Sequence, residues 1–360
     1  MSNFGRYLRQ YTTGYTTMTI SANQSKIPPA TLAVLYGIFF LVAVGFGYPT
    51  LKRFDPRQTP GLSDVKIYAS MVTGKATSDA GHVRFRVLVP YLARPFDRIA
   101  QGRIGSWDPV MFGLLIVDSL FVAATAVLIV ILGNLEMSYA TGLVGALLYL
   151  VNFAVPNLRL VGLVDAGEGF FLLAVLSCLS ERKLWILPAA MLFGTLTKES
   201  FIPFSIVLTA AWWLTTSDRD RQYYVTDTIW VVVSWVVGFA AVITVQWTIT
   251  GSFVSPWQFG LALHGGDHYF SHFAASLRDR NLWYIFIWLL PTAILNLRRL
   301  PKSWLIPVGT TCAMAFVLDA YFGGAPGTVG RALFSIAGPV LSLSSAMLLL
   351  QTSRTLQVSD

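Results

Sequence analysis

Charge is scarce in this sequence: Asp, Glu, Lys and Arg make up only 12% of its 360 residues. Average soluble domains carry roughly 25% charged residues. So little charge over such a length excludes an ordinary soluble domain and, with 54% hydrophobic residues, predicts a polytopic membrane protein. Aromatic residues, at 14%, suit rings anchored at both membrane interfaces.

Cysteine is also scarce. Cys178 and Cys312 are the two cysteines, and both lie in apolar stretches. Their spacing matches neither a metal site nor a redox pair, so we interpret them as small apolar packing residues. The net charge of +8 does not indicate nucleic acid, because basic flanks on membrane spans explain it.

Other features are missing as well. Residues 1–30 are polar and no cleavable signal peptide is visible, so the first apolar run, which begins near Ala30, predicts a retained first helix. No internal repeat, low-complexity tract or separate soluble module is apparent. We therefore predict a cytoplasmic N-terminal segment (1–30), a single transmembrane domain (31–350) and a cytoplasmic tail (351–360).

The apolar runs predict an all-α fold with about ten membrane spans. The candidate spans are 31–49, 109–132, 138–156, 164–180, 184–198, 200–216, 227–250, 281–297, 303–322 and 329–350. Several are shorter than the roughly 20 residues of a straight span. We expect the shortest, within 164–198, to enter the membrane only partway, where protein lines a cavity.

Lysine and arginine predict the orientation, because they favour the cytoplasmic side in short loops. With the N-terminus in the cytoplasm, the short outer loops keep only Arg159, Lys198 and Arg331, and these residues fall inside: Arg6, Arg9, Lys26, Arg182, Lys183, Arg219, Arg221, Arg298, Arg299, Lys302 and Arg354. Two outer loops are long, 50–108 and 251–280. Apolar residues at helix-like intervals in 50–108 predict amphipathic helices at the membrane interface.

The outer side collects most of the ionisable residues that lack an obvious role in setting the topology. They are Asp64, Lys66, Arg84, Arg86, Arg159, Asp165, Glu168, Lys198, Glu199, His264, Asp267, His268, His272 and Arg331. Ionisable groups at membrane depth usually face a bundle interior or a water-filled cavity. Each also has a structural interpretation: Lys198 and Glu199 as an interfacial turn, Arg331 as a headgroup anchor.

Three further sets have competing interpretations. Asp165 and Glu168 share a helical face and suit a helix N-terminus as well as a site. The histidines at 264, 268 and 272 are four apart, but the intervening "GGD" disfavours a regular helix and hence a metal site. Asp118 and Asp319 lie within candidate spans, where we expect packed or hydrogen-bonded carboxylates.

Together, these residues suit a lipid-linked phosphate. Arginine binds phosphate oxygens bidentately and lysine supplies a point charge, while a carboxylate supplies a general base. This order of features resembles the GT-C class of membrane glycosyltransferases, in which a first transmembrane helix precedes a long outer loop with a catalytic aspartate and then a multi-helix bundle. Members take sugar from a polyprenyl-phosphate or polyprenyl-diphosphate carrier on the outer face.

The resemblance assigns roles to particular residues. "SDVKIYASMV" resembles the acidic loop, which makes Asp64 the base with Tyr68 in support. "VRFRVLVPYLARP" resembles the arginine-bearing stretch that follows, and "TLTKESFIP" a lysine–glutamate junction. "GRALFSIAGPVLSL" resembles a late helix that opens with an arginine contacting the carrier phosphate, here Arg331. "LVDAGEGFFLL" corresponds to a second acidic element, Asp165 and Glu168, although it lacks the Asp-x-Asp pattern.

The resemblance implies inverting sugar transfer from a polyprenyl-phosphate-linked donor, in a bacterial cytoplasmic membrane. Arg331 and Lys198, with Arg86 or Arg159, would stabilise the departing phosphate. Glu199 would orient Lys198 or bind the acceptor. Asp165 and Glu168 are candidates to hold a divalent metal, Mg²⁺ or Mn²⁺, and His264 and His268 are further candidate ligands. Membrane lipids are expected partners and nucleic acid is not.

Two alternatives remain open. A transporter or flippase for an anionic or lipid-linked solute would have broken helices and charges at the midplane. A non-catalytic protein of envelope polysaccharide assembly would retain the fold without the chemistry. Charges at the bilayer centre would favour transport, whereas a cavity open to lipid and the outer surface, with Asp64 at its floor, would favour the transferase.

Overall fold

The computed structural model describes residues 26–49, 63–75, 81–216, 221–252, 269–322 and 328–357. Within these ranges the regular structure is helical. The α-helices are α1 (Pro29–Gly47), α2 (Ser63–Val72), α3 (Leu88–Ala100), α4 (Pro109–Glu136), α5 (Tyr139–Leu150), α6 (Asp165–Ser180), α7 (Leu187–Thr197), α8 (Phe201–Thr215), α9 (Arg221–Thr250), α10 (Tyr269–Leu277), α11 (Arg280–Phe286), α12 (Leu289–Ile294), α13 (Lys302–Phe322) and α14 (Thr328–Gln357). The expected all-α fold is therefore confirmed for this part of the chain.

Five of these helices, α1, α4, α9, α13 and α14, are long and apolar enough to cross a membrane. The protein is accordingly an integral membrane protein. The apolar helices α5 and α8, and residues 184–197 around α7, are shorter. The layout with about ten spans stays a prediction.

Two candidate spans differ from the helices observed. The span 281–297 is not one helix but two, α11 and α12. Pro291 lies three positions into α12, where it cannot donate a hydrogen bond to Ile287 and disfavours a continuous helix. The span 138–156 ends as an α-helix at Leu150 and continues into a π-helical turn over Val155–Arg159.

The described part of the loop after the first helix is largely helical, as predicted, and includes α2 and α3. α3 is amphipathic: Val89, Ala93 and Ala100 are buried on one face, and Tyr91 and Ile99 are exposed on another. The buried face packs on α4. In addition, Arg94 of α3 donates to the backbone carbonyl of Met71 at 2.8 Å, so α2 is tied to α3.

Local sequence explains where α4 and α5 begin. Asp108 caps α4, because its carboxylate accepts from the backbone N–H of Val110 at 2.8 Å, and Pro109 takes the first helical position. Ser138 caps α5 in the same way through the N–H of Thr141. The Ser138 cap lies in the short connection from α4 to α5, and the two helices pack closely.

The core centres on α4 and α14, whose apolar windows are mostly buried, whereas few residues of α1, α9 and α13 are fully buried. The exposed faces are apolar, with Leu41, Val236 and Val317 each at least 60% exposed, so they suit lipid contact. Both cysteines are free and pack in or against the core, as predicted.

One end of the bundle collects the segments that matter for function. Gly47, at the end of α1, packs against Leu115 near the start of α4 and against Leu160 just before α6. α6 and α14 also begin there and pack on each other, and α7 ends there. The C-terminal end of the first helix is thus beside the N-terminal ends of three later ones.

Candidate functional site

Eight charged residues form one cluster at this end of the bundle. They are Asp64, Arg86, Arg159, Asp165, Glu168, Lys198, Glu199 and Arg331. All eight were singled out from the sequence, and the structure brings them together. The cluster has two halves, one around Arg86 and one around Lys198, joined by the adjacent residues Lys198 and Glu199.

Arg86 organises the first half. Its guanidinium contacts both oxygens of Glu199, with Nε donating to Oε2 at 2.7 Å and Nη2 to Oε1. Nη1 donates to Tyr68 Oη at 2.9 Å and to Asp64 Oδ2 at 3.3 Å. His82 approaches Glu199 at 3.6 Å. Arg86 therefore joins the loop helix α2 to the α7–α8 junction, with four hydrogen bonds from its five N–H groups.

Local structure places these side chains. Asp64 and Tyr68 are four residues apart on α2 and share a helical face. Arg86 follows a 3-10 turn over Gly81–Phe85, which holds it close to α2. Tyr68 is fully buried, and burial raises the pKa of its phenol, an effect that the nearby Arg86 charge opposes. The phenol therefore stays neutral and accepts from Arg86.

Glu199 is ionised. Burial on its own raises the pKa of this carboxyl, but the charge and hydrogen bonds of Arg86, with a contribution from His82, outweigh it and lower the pKa to about 2. The carboxylate is consequently a fixed negative charge at neutral pH.

Lys198 organises the second half. Its ammonium donates to Asp165 Oδ1 at 2.8 Å and to Glu168 Oε2 at 3.0 Å. Arg331 Nη1 lies 3.4 Å from the other oxygen of Asp165, and Ser200 donates to the other oxygen of Glu168. Asp165 and Glu168 are three apart at the start of α6, so both carboxylates face Lys198, as their spacing predicts.

Arg159 is a buried residue that stabilises the Lys198 half of the cluster. It is 1% exposed, and its guanidinium donates to the carbonyls of Asp165 and Arg331 and to Ser335 Oγ at 2.7 Å. The π-helical turn that ends at Arg159 includes an i→i+5 hydrogen bond from Leu160. Arg159 thus ties the starts of α6 and α14 together.

Exposure separates the carboxylates into two kinds. The side chains of Asp64 and Glu199 are each 31% exposed, whereas those of Asp165 and Glu168 are 3% and 0% exposed. Asp64 and Glu199 can therefore meet a ligand directly. Asp165 and Glu168 act on a ligand only through the cations that they hold.

The second acidic element, Asp165 and Glu168, is poorly suited to bind a metal. All four carboxylate oxygens of Asp165 and Glu168 accept hydrogen bonds from Lys198, Arg331 or Ser200. A divalent cation would have to replace these bonds beside three positive side chains, so the donor set does not fit one. Over the described ranges, no group of three His, Cys, Asp or Glu side chains is arranged to hold a metal. His264 and His268 lie outside those ranges.

The structure adds residues that the sequence did not single out: His82, Ser200 and Ser335. The sequence contains a hint of His82, which is an ionisable residue four positions before Arg86. It contains no pattern that would indicate the two serines. The two carboxylates expected to be packed or hydrogen-bonded are so. Asp118 accepts from the Gly162 N–H at 3.2 Å. Asp319 accepts from Thr328, at the start of α14, and from Ser276.

No family model matches the chain, and no curated protein matches it either. Function is therefore inferred from the chemistry of the site itself.

Proposed function

We propose that the protein is a membrane glycosyltransferase that moves a sugar from a polyprenyl-phosphate carrier to an acceptor hydroxyl on the outer face of the membrane. One observation carries the proposal. Asp64 of the loop after the first helix shares Arg86 with Glu199, and Lys198, adjacent to Glu199, lies with Arg331 at the same end of the apolar bundle.

The carboxylate best suited to be the base is Asp64. It is partly exposed, and Arg86 contacts one of its oxygens at 3.3 Å. In the proposed reaction Asp64 takes the proton of the acceptor hydroxyl. The acceptor oxygen forms a bond to the anomeric carbon as the bond from that carbon to the phosphate oxygen breaks. The electron pair leaves with the lipid phosphate.

Arg331 and Lys198 are suited to receive that phosphate. Both are partly exposed, at 19% and 15% of the side chain. Lys198 makes two of the three hydrogen bonds that an ammonium can donate. Arg331 lies in the first turn of α14, where the helix N-terminus also favours an anion. Their positive charge would stabilise negative charge that builds on the leaving group.

The remaining residues of the cluster position the base, Asp64, and the phosphate-binding pair, Lys198 and Arg331. Arg86 and Arg159 are buried and donate to protein oxygens, so we assign them to holding Asp64, Glu199 and the start of α14 in place. Tyr68 orients Arg86, and Asp165 and Glu168 orient Lys198. The proposed reaction places no metal at Asp165 and Glu168, whose oxygens already accept hydrogen bonds.

The cluster is balanced in charge, with four cations and four carboxylates. A phosphate therefore has to loosen one existing contact. Arg331 and Asp165 are 3.4 Å apart, farther than either oxygen that Lys198 contacts. This makes the Arg331–Asp165 contact weaker than the two contacts of Lys198, since ion-pair energy falls with distance.

The layout of about ten spans, the cytoplasmic N- and C-termini and a bacterial cytoplasmic membrane belong to this proposal. Location of the charges at one end of the helices favours it over a transporter, whose charges gather at the midplane. The partly exposed carboxylate of Asp64, held by Arg86, favours a glycosyltransferase over a non-catalytic assembly protein.

The test uses purified protein in detergent and a panel of radiolabelled polyprenyl-phosphate sugars. We expect at least one of them to bind and to release its sugar. Preincubation with bare polyprenyl phosphate should compete, because the cations bind the part that both share. Absence of binding by every lipid-linked sugar would contradict the proposal, and uptake of a radiolabelled solute into vesicles would then support transport.

A further inference from the structure

A cleft between α7 and α9 adjoins the cluster at Glu199. It encloses about 310 Å³, including the part that opens outward. Phe85, Glu199, Leu196 and Val245 contribute to its walls. Ligand pockets in proteins are typically apolar with a few polar groups, and the walls of this cleft have that composition. A ligand ring would enter from the open side of the cleft, with its polar groups towards the walls.

Two polar side chains in the walls of this cleft lack partners. Thr195 of α7 and Gln246 of α9 both line it and are 5% and 2% exposed. Thr195 Oγ1 and Gln246 Oε1 are each buried with no hydrogen-bond partner in the described part of the chain. Such atoms are rare in folded proteins because they lose their bonds to water without replacement. Two of them in one cleft indicate a ligand that supplies the missing bonds.

The chemistry of the walls restricts the ligand. Among the residues found to line the cleft, Glu199 is the charged one and it is negative, so a phosphate is disfavoured. A carboxylate, an amide oxygen and a hydroxyl together suit hydroxyl donors. Phe85, whose ring carries the Arg84 guanidinium 4.9 Å from its centroid, adds apolar surface to the wall of the cleft.

We propose that the cleft binds the hydroxyl groups of a neutral sugar ring. Gln246 Oε1 and Glu199 would accept from two of them, and Thr195 Oγ1 would bond a third. The identity of the ligand as a sugar rests on the proposed function. The phosphate and the sugar are then recognised separately, by Lys198 with Arg331 and by the cleft.

The ring could belong to the lipid-linked donor or to the acceptor, and both have the same hydroxyl chemistry. Two probes separate these sources. One is equilibrium binding of polyprenyl-phosphate-linked glucose, mannose and arabinose, with bare polyprenyl phosphate for reference. The other is saturation-transfer NMR with the methyl glycosides of the same sugars.

Thr195→Val and Gln246→Leu remove the polar atoms with little change in shape. We expect each to weaken binding of the sugar-bearing probe about tenfold, since each removes one bond to a ligand hydroxyl. Bare polyprenyl phosphate should bind as it does to wild type. Thr195→Ser, which keeps the hydroxyl, should retain binding. Thr244→Val is the matched control, because Thr244 is exposed on α9 and is not part of the cleft wall.

The binding results also show whether the sugar ring belongs to the donor or to the acceptor. Loss for the lipid-linked sugar indicates the donor ring, and loss for the methyl glycoside alone indicates the acceptor ring. Wild-type affinity of both variants for every probe would overturn the cleft assignment, even if sugar transfer occurs. So would the absence of any sugar signal with wild type. Methyl glycoside binding that depends on Thr195 and Gln246, without binding of any lipid-linked sugar, would support the cleft and reject the transferase.

Discussion

Arg86 and Glu199, 113 positions apart in the sequence, are joined at two points, with Nε donating to Oε2 at 2.7 Å and Nη2 to Oε1. A bidentate pair fixes the orientation of both groups as well as their separation. Because Arg86 also holds Asp64, this pair sets where the loop helix α2 meets the α7–α8 junction. The proposed base is thus positioned by a residue from another part of the bundle.

The Arg86–Glu199 pair predicts a specific dependence of stability on pH. The pKa of Glu199 is lowered to about 2 in the folded protein, below the usual value of about 4.3 for an unfolded chain. Its contribution is therefore complete above the unfolded value and is lost as pH falls through about 2. The gap in unfolding temperature between wild type and Glu199→Gln should be constant near neutral pH and shrink in acid. A gap that grows on acidification would contradict the pairing.

Lys198 should be a large contributor to stability, because it neutralises two buried carboxylates. Lys198→Met leaves Glu168 without its cation, and breaking a buried pair in this way costs about 3–5 kcal/mol. We expect a marked fall in the unfolding temperature. The double variant Lys198→Met, Glu168→Gln should recover part of the loss, since it removes the stranded charge. A single variant as stable as wild type would show that the carboxylates do not depend on Lys198.

Close packing of α4 on α5 predicts a second stability effect. A Cβ added at Gly142 would lie 2.6 Å from the carbonyl oxygen of Val130, so Gly142→Ala should destabilise the protein by about 1–3 kcal/mol through overpacking. The control is Gly309→Ala in α13, where nothing lies within 4 Å of the added atom. There we expect no loss, and a gain of about 0.5–1 kcal/mol from helix propensity. Equal unfolding temperatures for the two variants would contradict this packing.

Much of the cluster could be predicted from sequence, because charges in apolar surroundings are costly and conspicuous. Lys198, Asp165 and Arg331 stand out in this way, and the spacing of Asp165 and Glu168 predicts their common face. The pairing did not follow, however. Glu199 pairs with Arg86, 113 positions away, and local sequence does not predict this because it depends on how distant segments pack. Acceptor binding by Glu199 stays a prediction.

Helix boundaries were predictable to different degrees. α6 matches its candidate span within a residue because a charged pair begins it and a polar turn ends it. The break near Trp288 within the run 281–297 could not be predicted from hydropathy, because the residues on both sides of it are apolar. The polar atoms of Thr195 and Gln246 left no sequence signal either, because burial without a partner is a property of packing.

The most direct measurement compares donor binding with turnover in Asp64→Asn and Arg331→Ala. Asp227→Asn and Arg182→Ala serve as matched controls, because this ion pair lies beyond the other end of α6. Purified proteins would be titrated with the polyprenyl-phosphate sugar that wild type binds, and sugar release would be followed. We predict that Asp64→Asn binds donor as wild type does but transfers at least about 100-fold more slowly, whereas Arg331→Ala loses donor binding. Full turnover by Asp64→Asn, or unchanged donor affinity in Arg331→Ala, would contradict the account.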